Sequence, residues 1–333
     1  MLVTVEQDGV SGWGECVAEG NPYYSSETTA TAWHIIREFI APLVLGRDFR
    51  HPREIYPALA RIRGHNMAKA AVEMAAWDLF ARQENLPLSR VLGGTRRSIE
   101  SGVSIGIQDS LDELVERDAG YRRIKIKVKP GWDLEAVARV RHEFGQVPLM
   151  VDANAAYSLS DAAHLAKLDD HDLMMIEQPL DYDDIRDHAE LQGRLRTPIC
   201  LDESIHTVQA AKDAIDRRAC RIINIKPGRI GGHGPSIDLH DVAAAHDIPV
   251  WHGGMLESGI GRAHNIHLST LHNFSLPGDV AASRRYYDPD LIEPGIEVRP
   301  DGTIAVPAGP GIGVTIVPDR VAAATTERTE LRA

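Results

Sequence analysis

Arg123-Ile124-Lys125-Ile126-Lys127 alternates basic and apolar residues with period two, the pattern of a β-strand with one charged and one apolar face. Similar short runs follow it, and each closes on a charged residue. They are Leu149-Met150-Val151-Asp152, Met174-Met175-Ile176-Glu177, Ile199-Cys200-Leu201-Asp202 and Ile222-Ile223-Asn224-Ile225-Lys226. From Lys127 through Asp152, Glu177 and Asp202 to Lys226, the successive separations are 25, 25, 25 and 24 residues. One strand, one loop and one helix fill an interval of that kind in a (β/α) barrel, whose chemistry sits at the C-terminal ends of its strands. The spacing predicts an α/β fold in which three carboxylates and three lysines meet at one barrel mouth.

Working outward, the barrel repeats run from Val103-Ser104-Ile105-Gly106-Ile107 to about Leu276. Helices are predicted over Leu134–Phe144, with Asp133 as N-cap, over Ser160–Leu168 and over Val208–Arg217. Seven βα repeats can be counted. An eighth strand near Asn273-Phe274-Ser275-Leu276 has no evident following helix, so the expected architecture is a modified TIM barrel of (β/α)7β type. The first hundred residues read differently. Leu2-Val3-Thr4-Val5 and Gly12-Trp13-Gly14-Glu15-Cys16 form a hairpin about Asp8-Gly9. Helices follow over Thr28–Leu45, Arg53–Leu59 and Met67–Gln83, the last with an apolar stripe of Ala70, Ala71, Met74, Ala75 and Ala76. The expected organisation is an α+β capping domain over residues 1–97, a catalytic barrel over 98–285, and a segment 286–333 that returns to the capping domain through a strand near Thr303–Val306.

Composition sets limits. With 43% hydrophobic residues, the chain of 333 can bury a barrel core. A net charge of −12 argues against nucleic acid as a partner, because such partners select a basic surface. No stretch reaches the roughly 18 apolar residues of a membrane span, and the N-terminus lacks the pattern of a signal peptide. Three scattered cysteines make no disulfide framework, so the expected compartment is the cytoplasm.

Asp152, Glu177 and Asp202 are hard oxygen donors on successive strands, a set suited to Mg²⁺ rather than zinc. Lys125 and Lys127 share one strand face, where burial costs several kcal/mol per ammonium unless carboxylates pair with them. Lys226 stands nearly opposite Lys127 around the ring. Two bases flanking one substrate can take a proton from one face and return it to the other. A crowded electropositive site is expected to lower a lysine pKa toward neutrality.

These motifs, with Asp152-Ala153-Asn154, Ile176-Glu177-Gln178-Pro179, Leu201-Asp202-Glu203-Ser204 and Asn224-Ile225-Lys226-Pro227-Gly228-Arg229, resemble the muconate-lactonizing subgroup of the enolase superfamily. The stretch Gly253-Gly254-Met255-Leu256-Glu257-Ser258-Gly259-Ile260-Gly261-Arg262-Ala263-His264-Asn265, with Leu276-Pro277-Gly278-Asp279, is similar to the o-succinylbenzoate synthase / N-succinylamino acid racemase family. The likeness extends from about Gly12 to Gly313.

The resemblance implies Mg²⁺ (or Mn²⁺ or another divalent cation) held by Asp152, Glu177 and Asp202. It implies acid/base roles for Lys127 and Lys226, with Lys125 tuning Lys127, in the manner of enolase-superfamily sites. The reaction it implies removes the proton α to a carboxylate through an enediolate, the charge of which a cation offsets. Asn154, Ser104, Gly254 and Met255 fall where the family contacts its small-molecule carboxylate substrate, and Glu203 and Arg229 lie just behind. Tyr23-Tyr24-Ser25-Ser26 is expected to lie over the substrate. Dehydration to o-succinylbenzoate in menaquinone synthesis and racemisation of N-succinylamino acids fit equally well. Muconate cycloisomerisation and dipeptide epimerisation fit less well, the second because Asp279-Val280-Ala281 lacks an Asp-x-Asp pattern. A metal-stabilised scaffold without catalysis is the alternative outside enzymology. Family likeness also favours a homo-oligomer, and implies a first capping strand and loop ahead of Leu2. With those missing, weak stability or self-association is expected.

His233, His252, His264 and His267 fall outside the repeat. His252, at a strand end, is a candidate for the pocket wall; the others read as structural or exposed.

Overall fold

The structure is a computed structural model, and it describes residues 1–115 and 120–333. Strands β1 (Leu2–Gln7) and β2 (Val10–Glu15) form an antiparallel hairpin. Its two turn residues, Asp8 and Gly9, both have positive φ, as the tightest hairpin turns require. The hairpin packs on the helix Asn66–Gln83, which starts within a residue of the expected Met67. The expected apolar stripe is in fact burial nearly all round: Lys69, Glu73 and Asp78 are buried beside the alanines. The hairpin covers one side of this helix and the segment around Pro227–Ile230 covers another. The expected Thr28–Leu45 helix is broken into Thr29–Ile35, a π-turn over Ile36–Ile40, and Ala41–Val44.

After β3 (Ser98–Glu100), seven strands form one parallel sheet in sequence order. They are β4 (Gly102–Ile105), β5 (Arg123–Lys127), β6 (Leu149–Asp152), β7 (Ile176–Glu177), β8 (Ile199–Leu201), β9 (Ile222–Ile225) and β10 (Val250–His252). The helix Leu134–Phe144 has the expected bounds, capped by Asp133 Oδ1 accepting from the Leu134 N–H at 2.6 Å. Where Ser160–Leu168 was expected as one helix, a short α-turn, Ala162–Leu165, lies between two 3₁₀ turns.

The eighth position of the ring is filled without a regular strand. Single bridges join Val250 to Phe274 and Ser101 to Gly278. The Asp279 N–H donates to the His252 carbonyl at 2.8 Å, and the Gly102 N–H to the Gly278 carbonyl at 2.7 Å. Pro277, with no N–H, prevents a continuous ladder there. The fold is thus α/β, a modified TIM barrel of (β/α)7β type beneath an N-terminal capping region.

Beyond the barrel, Thr303–Ala305 pairs with β3, and the Ile312 N–H donates to Asp78 at 2.7 Å. The tail therefore returns toward the helix Asn66–Gln83. Among the described residues no helix is long and apolar enough to cross a membrane.

Candidate active site

Alternation along each strand sends every second side chain inward. In β5 these are Arg123, Lys125 and Lys127. Below them Met150, Met175, Cys200, Ile222 and Trp251 form an apolar floor inside the barrel. Arg123 and Lys125 lie over the Trp251 ring, at 5.1 and 5.0 Å from its centroid.

Above the floor, Lys127, Asp152 and Glu177 are level, since Lys127 pairs with Asp152 and Asp152 with Glu177 in the ladder. The equal sequence spacing does not continue as equal height. Glu177 is level with Cys200, so Asp202 stands two residues further along its strand. That stagger is the shear which closes a barrel.

Lysines link the carboxylates. Lys125 Nζ is 3.1 Å from Glu177 and 3.2 Å from Asp152; Lys127 Nζ is 2.6 Å from Asp152; Lys226 Nζ is 2.7 Å from Asp202. Lys226 also donates to the Tyr24 hydroxyl at 2.8 Å, which brings the capping loop onto the barrel mouth. Arg229 is buried against Asp202 and donates to the Ile205 carbonyl at 2.8 Å.

Electrostatics differ from the sequence expectation for Lys125 and Lys226. Burial alone would lower the Lys125 pKa, but Asp279, Glu177 and Asp152 outweigh it and hold the pKa above the lysine range. Burial is likewise outweighed at Lys226, by Tyr24, Glu177 and Glu203. The expected shift toward neutrality assumed an electropositive surrounding, whereas these ammonium groups face carboxylates. Burial would raise Asp152, yet Lys127 and Lys125 bring it below the usual range. Burial, then the charge of Asp152, raises Glu177 and Glu203.

The remaining expected residues are placed as follows. Asn154, in a left-handed conformation, accepts from Lys127 through Oδ1 and donates to Glu203 at 2.8 Å. Ser104 pairs with Lys125 in the ladder, and its carbonyl accepts from Arg285 at 2.7 Å. Gly254 adjoins the closing segment: a Cβ there would lie 2.3 Å from the Asp279 carbonyl oxygen, so packing requires glycine. Met255 packs against the capping core. His252 stacks on Phe274 with centroids 6.4 Å apart, fully buried. His233 and His264 are hydrogen-bonded to each other at 2.9 Å, also buried.

Three residues of the cluster were missed by sequence reasoning. Asn224 donates to Glu177 at 2.6 Å. Asp279 is 2.5 Å from Lys125 and 2.7 Å from Arg123. The period-two pattern that exposed Lys125 and Lys127 includes Arg123 equally, and was the available signal. Asp279 stood in a motif that carried the family resemblance, but no contact to Lys125 or Arg123 could be read there, because its segment lies three residues beyond the expected eighth strand.

Among the described residues no three His, Cys, Asp or Glu side chains are grouped to hold a metal ion. The donor set nevertheless fits one. Asp152 and Glu177 end adjacent strands, about 4.8 Å apart. Beside them Glu203 Oε2 and Asn224 Oδ1 are buried acceptors with no hydrogen-bond partner, atoms that call for a cation or donor.

Known proteins share this architecture. Residues 109–320 match the enolase C-terminal domain-like model, and residues 1–93 the mandelate racemase / muconate lactonizing enzyme N-terminal domain. The o-succinylbenzoate synthase of Geobacillus kaustophilus is 54% identical over 95% of this chain and 85% of its own. The N-succinylamino acid racemase of Thermus thermophilus is 50% identical over 94% and 86%. A solved enolase-superfamily structure from Listeria innocua superposes with a TM-score of 0.93 at 41% identity, covering 98% of this chain and 89% of that one. The chain is an enzyme of the enolase superfamily and belongs to its o-succinylbenzoate synthase / N-succinylamino acid racemase family.

Proposed function

We propose that this enzyme removes the proton α to a carboxylate from a small-molecule substrate, assisted by one Mg²⁺ ion. The observation that carries this reading is the placement of Lys127 and Lys226, four strands apart, on either side of Asp152, Glu177 and Asp202. Those three carboxylates would hold the Mg²⁺ ion, or Mn²⁺ or another divalent cation in its place. Bound there, the ion supplies positive charge that offsets the charge developing on the substrate carboxylate.

Lys127 and Lys226 then act on the two faces of the α-carbon. Each bears or accepts a proton at Nζ. Lys125, buried two residues before Lys127 on the same strand face, supplies a fixed positive charge beside it. Asn154 holds Lys127 in place, and Arg229 fixes the Asp202 carboxylate. Tyr24, donated to by Lys226, closes the mouth from above and limits water. Ser104, Gly254 and Met255 border the space for the acyl portion of the substrate, with Glu203 beside Asn154.

Two relatives are named for o-succinylbenzoate synthesis and N-succinylamino acid racemisation, and both reactions can start from this proton removal. Dehydration needs one base; racemisation needs both. We assign the chain one or both of these activities, in the cytoplasm, as a homo-oligomer, with the capping domain over residues 1–97, the barrel over 98–285 and the returning segment over 286–333. Parallel steady-state assays of dehydration and N-succinylamino acid racemisation, with Mg²⁺ and after EDTA, test this. Turnover in at least one assay that EDTA abolishes is expected; full turnover in EDTA, or none in either assay, would overturn it.

A further inference from the structure

We propose that Asp279 is a positioning residue for Lys125: it holds that ammonium back from Asp152 and Glu177, which leaves the two carboxylates available to a divalent cation. This rests on the cation reading above and assigns a role to a residue outside the ligand set.

Lys125 lies between carboxylates on both sides. Around the ring, Asp152 and Glu177 are one and two strands away in one direction. Asp279 is two positions away in the other, on the segment that bridges β10 and β4. Of its three carboxylate contacts, Asp279 is the shortest, at 2.5 Å against 3.1 and 3.2 Å. Lys125 is 4% exposed, so its ammonium cannot withdraw into water when a second cation arrives. It must stay paired inside the barrel, and Asp279 is the partner that lies outside the proposed metal-ligand set.

The surroundings fix Asp279 for this task. Its Oδ1 accepts from Arg123 Nη2 at 2.7 Å, while Oδ2 faces Lys125. Arg123 also donates to the Pro277 carbonyl at 3.1 Å, which ties it to the closing segment. Two glycines make the room. A Cβ on Gly102 would lie 2.5 Å from the Arg123 guanidinium carbon, and one on Gly254 would lie 2.3 Å from the Asp279 carbonyl oxygen. A carboxylate held so firmly by one cation keeps its second oxygen aimed at the other.

Without this anchor the ammonium would settle on Asp152 and Glu177 and compete with the cation for them. The test is Mn²⁺ binding to the purified full chain, by calorimetry and by the electron paramagnetic resonance of free Mn²⁺. Wild type, Asp279→Asn, Lys125→Met and the double variant form a cycle. Asp279→Asn should weaken Mn²⁺ binding about tenfold. Lys125→Met should bind as tightly as wild type or more tightly. In the Lys125→Met background Asp279→Asn should change affinity by less than about twofold, because its effect acts through that ammonium.

Equal weakening in both backgrounds would mean that Asp279 acts only through its own field, and would overturn the proposal. So would unchanged binding in Asp279→Asn. If wild type itself fails to bind Mn²⁺, the cation reading falls and this proposal with it; wild-type binding with an unaffected Asp279→Asn removes the proposal alone. Near-ultraviolet circular dichroism reports folding. Should Asp279→Asn not fold, Lys125→Met decides: weaker Mn²⁺ binding than wild type overturns the proposal, equal or tighter binding supports it.

Discussion

Lys226 and Tyr24, 202 residues apart in sequence, meet where the capping region closes on the barrel. The ammonium donates to the phenol oxygen at 2.8 Å and lies 4.7 Å from the ring centroid. Tyr24 therefore touches a catalytic candidate, while its neighbour Tyr23 is 90% exposed.

Tyr24→Phe keeps the ring over the ammonium and deletes the hydrogen bond. Loss of a hydrogen bond to a charged group predicts a fall of about tenfold in kcat/KM. Tyr24→Ala removes the ring contact as well and should cost more. Tyr23→Ala should remain within about twofold of wild type, since it only frays an exposed loop. Steady-state kinetics on the three variants decide; wild-type kcat/KM in Tyr24→Ala would remove the residue from the site.

Gly14 sets how closely β2 approaches the helix Asn66–Gln83. A Cβ there would lie 2.0 Å from the Ala71 carbonyl oxygen and 2.8 Å from the Ala75 nitrogen, both rigid backbone atoms. Gly14→Ala must push strand and helix apart, which predicts a loss of about 2 kcal/mol in urea unfolding. The exposed turn glycine, Gly131, has nothing within 4 Å of a built Cβ, but its φ of 81° makes it a poor control. Gly20, with open space and no such φ, should accept alanine without measurable change.

Acid should destabilise the fold through buried histidines. Burial pushes His267 down to about 4 and His252 to about 3, from 6.5. The folded-state value lies below the unfolded one, so the unfolded chain takes up protons first as pH falls below about 6.5. Stability from His267 alone should drop by about 2 kcal/mol between pH 7 and pH 5. Glu73 acts in the opposite sense: burial raises it to about 7, so its folded form is favoured as pH falls. The clean measurement is therefore a difference. His267→Gln should show a shallower fall in unfolding free energy than wild type over that window, and identical slopes would contradict the account.

Much of this site was legible because strand ends carry charge at a fixed interval. Lys127, Asp152, Glu177, Asp202 and Lys226 all sit where short strand-like runs stop, with Lys125 two residues inside the first, and the hairpin about Asp8-Gly9 follows from turn chemistry alone. What escaped is set by tertiary geometry. Equal spacing in sequence hides the stagger that lifts Asp202 two residues above Glu177. The closing segment carries Pro277 and Gly278, so nothing marked Asp279 as a strand-end carboxylate. The stripe on Asn66–Gln83 gave no warning that its polar face would also be covered, because the covering segments lie far along the chain. Lysine pKa values depend on which carboxylates face them, and sequence cannot supply those distances.

The central claim is that Lys127 and Lys226 serve opposite faces of one α-carbon. Solvent deuterium exchange at that carbon tests it most directly, with D- and L-N-succinylamino acids followed separately by NMR in the presence of Mg²⁺. Wild type should exchange both enantiomers, Lys127→Ala and Lys226→Ala should each lose exchange of at least one, and the double variant should exchange neither. Exchange of both enantiomers at wild-type rates in either single variant, or any catalysed exchange in the double variant, would contradict the account.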